Sequence, residues 1–203
     1  MKKIPTLFVR EFEGHSVCKT LPQLTDESFN WVLNGEGVAT IKHDGACCAV
    51  ISGKFYKRYD AKNGKKAPDG AIPCCDPDPI TGHWPHWIEV NNNKPEDRWF
   101  IEAMNKSKCI YPIMCKRIED GTYEAIGPHF NANHHKMPID VLIRHGSREV
   151  NVLRTYDGIK YFLKYNNVEG LVFWKDGEPK CKIKRSDFGF NWPDEGSNRT
   201  WTI

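Results

Sequence analysis

Short runs rich in β-branched and aromatic residues recur along the chain, broken by Gly, Asp and Pro. That pattern predicts strands joined by tight turns. Residues 5–13 read as a short strand. "LTDESFNWVLNGEG" reads as a helix, with Thr25 able to cap it, Asp26 and Glu27 in its first turn and Gly35 able to end it. "GVATIKH" is a strand, and its Lys42 stands at the rim of what looks like a buried hairpin turning at Asp44-Gly45. "ACCAVISGKFYKRYD" reads as a second hairpin turning near Ser52-Gly53. Residues 60–86, rich in Pro, Gly, Asp and Lys, read as a long functional or mobile loop. "PEDRWFIEAMNKS" is helical, with Pro95 near its start and Trp99, Phe100, Ala103 and Met104 at helical spacing. "KCIYPIMCKRI", "TYEAIG" and "PIDVLIRHG" are strands, and "YDGIKYFLKYNN" is a helix. "VEGLVFWKDGEPKCKIKR" gives two strand-like runs around an Asp-Gly turn.

Hairpins outnumber β–α–β crossovers in this order of elements. The expected class is therefore α+β, antiparallel β-sheets flanked by helices, rather than a doubly wound parallel sheet. No repeat or heptad appears, and no glycine-rich phosphate loop of the Walker or dinucleotide type.

Composition narrows the class further. A chain of 203 residues suits a single domain over 1–203 and buries roughly 70% of its unfolded surface. A net charge of +3 excludes a histone-like basic binder, and seven Trp point to a core or pocket lined by large flat side chains. The eight cysteines include the adjacent pairs Cys47-Cys48 and Cys74-Cys75. Neighbours in a strand face opposite ways, so a pair of this kind does not define one site. No Cys-x-x-Cys occurs, so zinc is not expected, and reduced thiols fit an intracellular chain. No signal peptide or membrane span is apparent, so a cytoplasmic protein, a monomer without membrane contact, is expected.

Chemistry enters with Lys42. A lysine at a strand end beside a tight turn can be a covalent nucleophile once it loses its proton, and burial or neighbouring cations favour that loss. In "KCKIKR", Lys180, Lys182 and Lys184 alternate with Cys181 and Ile183, so in a regular strand all three project from one face. Such a row suits phosphate contact, and equally a solvated edge strand. Glu169, before the apolar run "GLVFW", could hold Mg²⁺ at a strand mouth, and Glu124 in "TYEAIG" repeats the pattern.

Lys-x-Asp-Gly, then Glu-Gly before apolar residues, then Lys-x-Lys, in that order on a mostly β chain, resembles the covalent nucleotidyltransferases. The stretches "EGVATIKHDGACC", "KRYDAKNGKK", "GHWPHWIEV", "EAIGPHFNANHH", "VLIRHG", "VEGLVFW" and "KIKRSDFGFNWP" span residues 36 to 193. They resemble the RNA ligase 1 family of 5′-to-3′ ATP-dependent RNA ligases. The doubled cysteine after Lys-x-Asp-Gly and the Phe-Gly-x-x-Trp-Pro ending make the likeness specific to that family.

The resemblance implies a nucleotidyltransferase (ATP-grasp-like) domain that joins 5′-phosphate and 3′-hydroxyl RNA ends, with ATP and Mg²⁺ or Mn²⁺ as cofactors. Lys42 would attack the α-phosphate of ATP and become lysyl-AMP. Lys182 and Lys184 would bind that phosphate, and Glu169 would hold the divalent ion. Glu124 would contact the nucleoside sugar or the metal, and Arg58 would contact AMP or the RNA 5′-phosphate. The basic loop with Lys62, Lys65 and Lys66 would touch the RNA backbone. Cys47 stands where many DNA ligases carry an arginine, which suits the RNA ligase 1 relatives. Ten residues, "DEGSNRTWTI", follow the last motif, so no C-terminal OB domain is expected.

The remaining polar clusters read as structural. "NHHK" at 133–136 is a polar loop, His43 faces away from Lys42 in a strand, and His145 is a hydrogen-bonded turn residue. An adenine-stacking residue is sought in "DVLIRHG". Two alternatives stay open: a capping-type guanylyltransferase using the same lysine with GTP, and a non-catalytic nucleic-acid- or nucleotide-binding module.

Overall fold

The structure, a computed structural model, describes residues 2–62, 65–79, 81–110 and 118–194. It is α+β, with three antiparallel sheets and few helices. The chain forms two compact units, Met1–Lys3 with Asp44–His145, and Ile4–His43 with Gly146–Ile203. Among the described residues no helix is long and apolar enough to cross a membrane.

In the unit of Ile4–His43 and Gly146–Ile203, strands β1 (Phe8–Glu13) and β2 (Ser16–Leu24) pair as a hairpin. The following segment, expected as one helix, is a 3₁₀ turn at Glu27–Phe29 running into the four-residue α1 (Asn30–Leu33). Its cap is Asp26, which accepts the Ser28 N–H, while the Thr25 hydroxyl donates to the Thr6 carbonyl. Gly35, at φ +80°, stops it as expected. Gly35 N–H donates to Val32 O and Glu36 N–H to Trp31 O, the paired bonds of a Schellman ending.

Three strands follow: β3 (Val38–Lys42), β10 (Gly170–Lys175) and β11 (Glu178–Lys184), in sheet order β11-β10-β3. Irregular segments flank both edges. Ile41 and Val150 N–H groups tie β3 to residues 148–150, and Leu7 and Lys182 N–H groups tie β11 to residues 5–7. Helix α3 (Tyr156–Tyr165) is capped by Thr155, whose hydroxyl accepts the Gly158 N–H at 3.0 Å.

The period of two sorts this sheet into two faces. The rows Ile41–Leu171–Ile183 and Ala39–Phe173–Cys181 are buried with Ile159 and Leu163 of α3 and with Trp31 and Val32. Burying an aliphatic side chain of this size stabilises by about 2 kcal/mol, so these rows fix the register. The other face carries the rows Lys42–Gly170–Lys184 and Thr40–Val172–Lys182.

In the other unit, six strands run in the order β6-β7-β5-β4-β8-β9. They are β4 (Ala46–Ile51), β5 (Lys54–Ala61), β6 (Ile72–Pro73), β7 (Trp84–Glu89), β8 (Gly121–Ile126) and β9 (Val141–Arg144). The β4–β5 turn falls at Ser52 and Gly53, both at positive φ, as expected. One sheet face, with Cys48, Val50, Tyr123, Ala125 and Leu142, packs on α2 (Arg98–Ile110) through Trp99, Phe100, Ala103 and Met104, the helical stripe read from the sequence. Strands β6 and β7 occupy part of the expected loop over 60–86. The strand expected over "KCIYPIMCKRI" is corrected at its start, where residues 108–110 end α2; residues 111–117 lie outside the described residues.

The turn at Asp44-Gly45 does not close a hairpin. Strand β3 pairs with β10 and β4 pairs with β5 and β8, so this turn carries the chain from one sheet to another.

Candidate functional site

Sheet register brings three distant motifs together. Lys42, Gly170 and Lys184 are direct cross-strand partners, from β3, β10 and β11. Gly170 contributes no side chain between the two lysines, and none could stand there. A Cβ would lie 2.3 Å from the Ile183 carbonyl oxygen. Glu169, one residue earlier, fills the place instead. Its buried carboxylate accepts from Lys42 Nζ at 2.5 Å on Oε2 and pairs with Lys184 Nζ at 3.0 Å on Oε1. The Lys42 ammonium also donates to the His43 carbonyl at 3.3 Å.

This geometry corrects one expectation and refines another. Glu169 was expected to hold a divalent ion near the Lys42 amine, and here it accepts from that amine directly. Lys182 and Lys184 share the face with Lys42, but Lys180 does not continue the row. Strand β11 is bulged there, with Cys181 opposite Phe173 and Pro179 opposite Trp174, and Lys180 Nζ pairs with Glu178 at 2.5 Å.

The remaining expected residues belong to the other unit. The face of its six-stranded sheet turned away from α2 carries Cys47 opposite Glu124. Glu124 Oε1 accepts the Gly45 N–H at 3.0 Å, and its Oε2 accepts from His145 Nε2 at 2.9 Å. His145 Nδ1 lies 3.0 Å from Thr122 Oγ1. Arg58 donates to Asp60 at 2.8 Å. Burial works to lower the Arg58 pKa, and the Asp60 hydrogen bond and charge together with the Cys47 sulfur outweigh it, so the net shift is upward. Burial pushes the Cys47 thiol up to about 12, and the Glu124 carboxylate adds to the rise. Lys62, Lys65 and Lys66 are exposed.

The stretch 133–136, expected as a polar loop, lies with Asn131 and Ala132 in a loop that bonds the Asp44-Gly45 turn. Asn131 Nδ2 donates to Asp44 Oδ1 and to the Gly45 carbonyl, each at 2.9 Å. His134 Nδ1 donates to Asp44 Oδ2 at 2.7 Å, and the Asp44 N–H donates to His135 Nε2 at 2.9 Å. Asn131, Ala132 and Asn133 all adopt positive φ, so the loop holds a costly backbone shape to make these bonds. Gly45 has no room for a side chain, since a Cβ would lie 2.1 Å from the Ala125 carbonyl oxygen. The Asp-Gly half of the motif is thus gripped through both Asp44 carboxylate oxygens, both backbone N–H groups and the Gly45 carbonyl. No sequence pattern signals this grip; the adjacency of "NANHH" to "EAIGPHF" is all that a reader could have followed.

Two lysines on one carboxylate, beside a Gly that keeps the space open, suit the binding of a phosphate group. A curated protein named RNA ligase 1, from Pongo abelii, is similar to this chain. The two are 23% identical over 95% of this chain and 82% of that protein. No family model matches the chain. The similarity supports an RNA-ligase-like relationship.

Proposed function

We propose that the chain is an ATP-dependent RNA ligase that joins 5′-phosphate and 3′-hydroxyl ends through a lysyl-AMP intermediate, in a nucleotidyltransferase-type fold. The observation that supports this reading is the row Lys42–Gly170–Lys184 with Glu169 at its centre. Lys42 Nζ forms a P–N bond to the α-phosphorus of ATP, and the bond to pyrophosphate breaks. Lys182 and Lys184 take up negative charge on the α-phosphate as it develops. The amine attacks without its proton, so Lys42 gives up its bond to Glu169, which Lys184 already shares. In the second step an RNA 5′-phosphate displaces Lys42 Nζ from AMP, and in the third a 3′-hydroxyl displaces AMP.

Glu169 supplies one hard carboxylate, the donor type that Mg²⁺ or Mn²⁺ takes together with substrate phosphates. No cluster of three His, Cys, Asp or Glu side chains forms around it among the described residues, so the fit is to an ion completed by water and phosphate. Such an ion would neutralise phosphate charge when bound. Arg58 keeps its expected contact with AMP or the RNA 5′-phosphate, Glu124 its contact with the nucleoside sugar or the metal, and Lys62, Lys65 and Lys66 offer RNA a set of exposed charges.

Intact mass after incubation with ATP and Mg²⁺ tests this reading. One added AMP, removed by pyrophosphate and absent from Lys42→Ala, is the expected result. Label retained from GTP and not ATP would overturn it in favour of a guanylyltransferase. No lysyl-nucleotide with any nucleotide would leave a binding module.

A further inference from the structure

We propose that Cys47, Glu124 and His145 form a binding site for one divalent cation of the Zn²⁺ class, built on the same Glu124 that the ligase reading gives to nucleoside or metal contact. The three come from three adjacent strands or their ends. Cys47 on β4 is the direct partner of Glu124 on β8. His145 follows β9, and its N–H donates to the Thr122 carbonyl, which extends the β8–β9 ladder by one pair. With a period of two, Thr122 and Glu124 share a face, and His145 opposite Thr122 stands on it too. The donor atoms, one sulfur, one oxygen and one nitrogen, all lie within 4.8 Å of one another.

The donor set selects the ion. Thiolate and imidazole suit Zn²⁺ and its transition-metal neighbours, whereas Mg²⁺ takes oxygen. Tetrahedral bonds to Zn²⁺ place donor atoms about 3.5 Å apart. From the present geometry, His145 Nε2 and Glu124 Oε2 open slightly from 2.9 Å, and Cys47 Sγ draws in by rotation about its side chain. Three protein donors leave a fourth position for water or a ligand, the pattern of an open zinc site.

The surrounding bonds are those a ligating set keeps. Glu124 Oε1 is fixed by the Gly45 N–H, which leaves Oε2, now bonded to His145 Nε2, as the atom to face a cation. A cation replaces the proton that His145 Nε2 shares with that oxygen, and Nδ1–H then donates to Thr122 Oγ1 at 3.0 Å. A second hydrogen bond of this kind fixes the tautomer and orientation of metal-bound histidines. Burial and the Glu124 charge work against the Cys47 thiolate; the Arg58 guanidinium favours it, and a cation must also displace that guanidinium. Asp60 holds it at 2.8 Å and gives it a place to go when the sulfur turns to a metal.

Co²⁺ added to the chelator-treated full chain reads the site directly. A thiolate-to-cobalt charge-transfer band of one equivalent is expected, displaced by Zn²⁺ and unaffected by excess Mg²⁺. Cys47→Ser and His145→Gln should each weaken binding at least tenfold, while Cys74→Ser leaves it unchanged. X-ray absorption on the wild-type zinc complex avoids any dependence on how the variants fold. One sulfur and one imidazole in the shell support the site. Two or more sulfurs, an all-oxygen shell, no cobalt–thiolate band, or a band that survives Cys47→Ser would overturn it.

Discussion

Lys42 Nζ stands 2.5 Å from Glu169 Oε2, across 127 residues of sequence. The contact exists because β3 and β10 pair with Lys42 opposite Gly170, which puts the residue before that glycine at the lysine's tip. Lys184 reaches the second oxygen of the same carboxylate. One buried negative charge therefore serves two positive ones.

Glu169→Gln keeps the shape and removes that charge. Two ammonium groups are then left close together without a counter-ion. Both are partly in water, so the expected loss of stability is about 2 kcal/mol, below that of a fully buried pair. Urea denaturation reads it. Lysyl-AMP formation should fall by at least about a hundredfold. Unchanged stability would show that the carboxylate does not hold these lysines in solution.

Lys42→Ala tests the other partner. It should abolish AMP attachment and leave the far-UV spectrum unchanged, because the core face of β3 is built from Ala39 and Ile41. Adenylate still attached to this variant would move the nucleophile elsewhere.

Gly170→Ala probes the space between the lysines. The new methyl would meet the Ile183 carbonyl oxygen at 2.3 Å, and both belong to paired strands that cannot separate without losing ladder bonds. The expected cost is about 2–3 kcal/mol, read as a lower thermal midpoint. A midpoint equal to wild type would mean that the two strands are looser than their register implies.

Much of this row was legible in the sequence, and the reason is periodicity. Alternation in "KIK" and "TIK" puts the lysines on the face opposite Ile183 and Ile41, whatever the partner strands turn out to be. Contacts set by tertiary pairing were not legible. The Asp44-Gly45 turn reads as a hairpin, yet the strands on either side go to different sheets. Lys180 reads as a third member of the row, and a bulge removes it. Strand β2 escaped notice because only Thr20 of its nine residues is buried, so it lacks an apolar signature. Strand β7 was hidden by Pro85, a residue that argues against a strand, although its partner there is Asp60. His134 and His135 read as a polar loop because nothing local announces that they reach back 90 and 91 residues to Asp44.

His135→Ala tests that reach. It leaves the Asp44 N–H without its acceptor, at an expected cost of about 1 kcal/mol. His135→Gln can offer a carbonyl oxygen in place of Nε2 and should recover most of it. Slowed exchange of the Asp44 amide in wild type, lost in the Ala variant and regained in the Gln variant, is the specific signature. Equal loss in both variants would assign the effect to packing of the ring and not to its nitrogen.

Buried thiols set an upper pH limit on stability. Burial pushes the Cys181 thiol from the usual 9.0 up to about 12, with the nearby Arg154 charge opposing the rise. A raised pKa means that the folded state keeps the proton while the unfolded chain gives it up. Below about pH 9 both states are protonated and the thiol exacts no penalty. Between about 9 and 12 the unfolded chain binds fewer protons, so stability falls with rising pH, by up to about 1.4 kcal/mol per unit for each such group. Cys47, also pushed up to about 12, acts in the same window. Cys48 and Cys74 are raised by burial as well. Cys181→Ala removes one of these contributions, so its stability should fall less steeply between pH 9 and 11 than that of wild type. The difference in slope, measured by urea denaturation across that range, separates this titration from the fixed cost of the smaller side chain, which is the same at every pH. Parallel curves for the two proteins would place the Cys181 sulfur in contact with water.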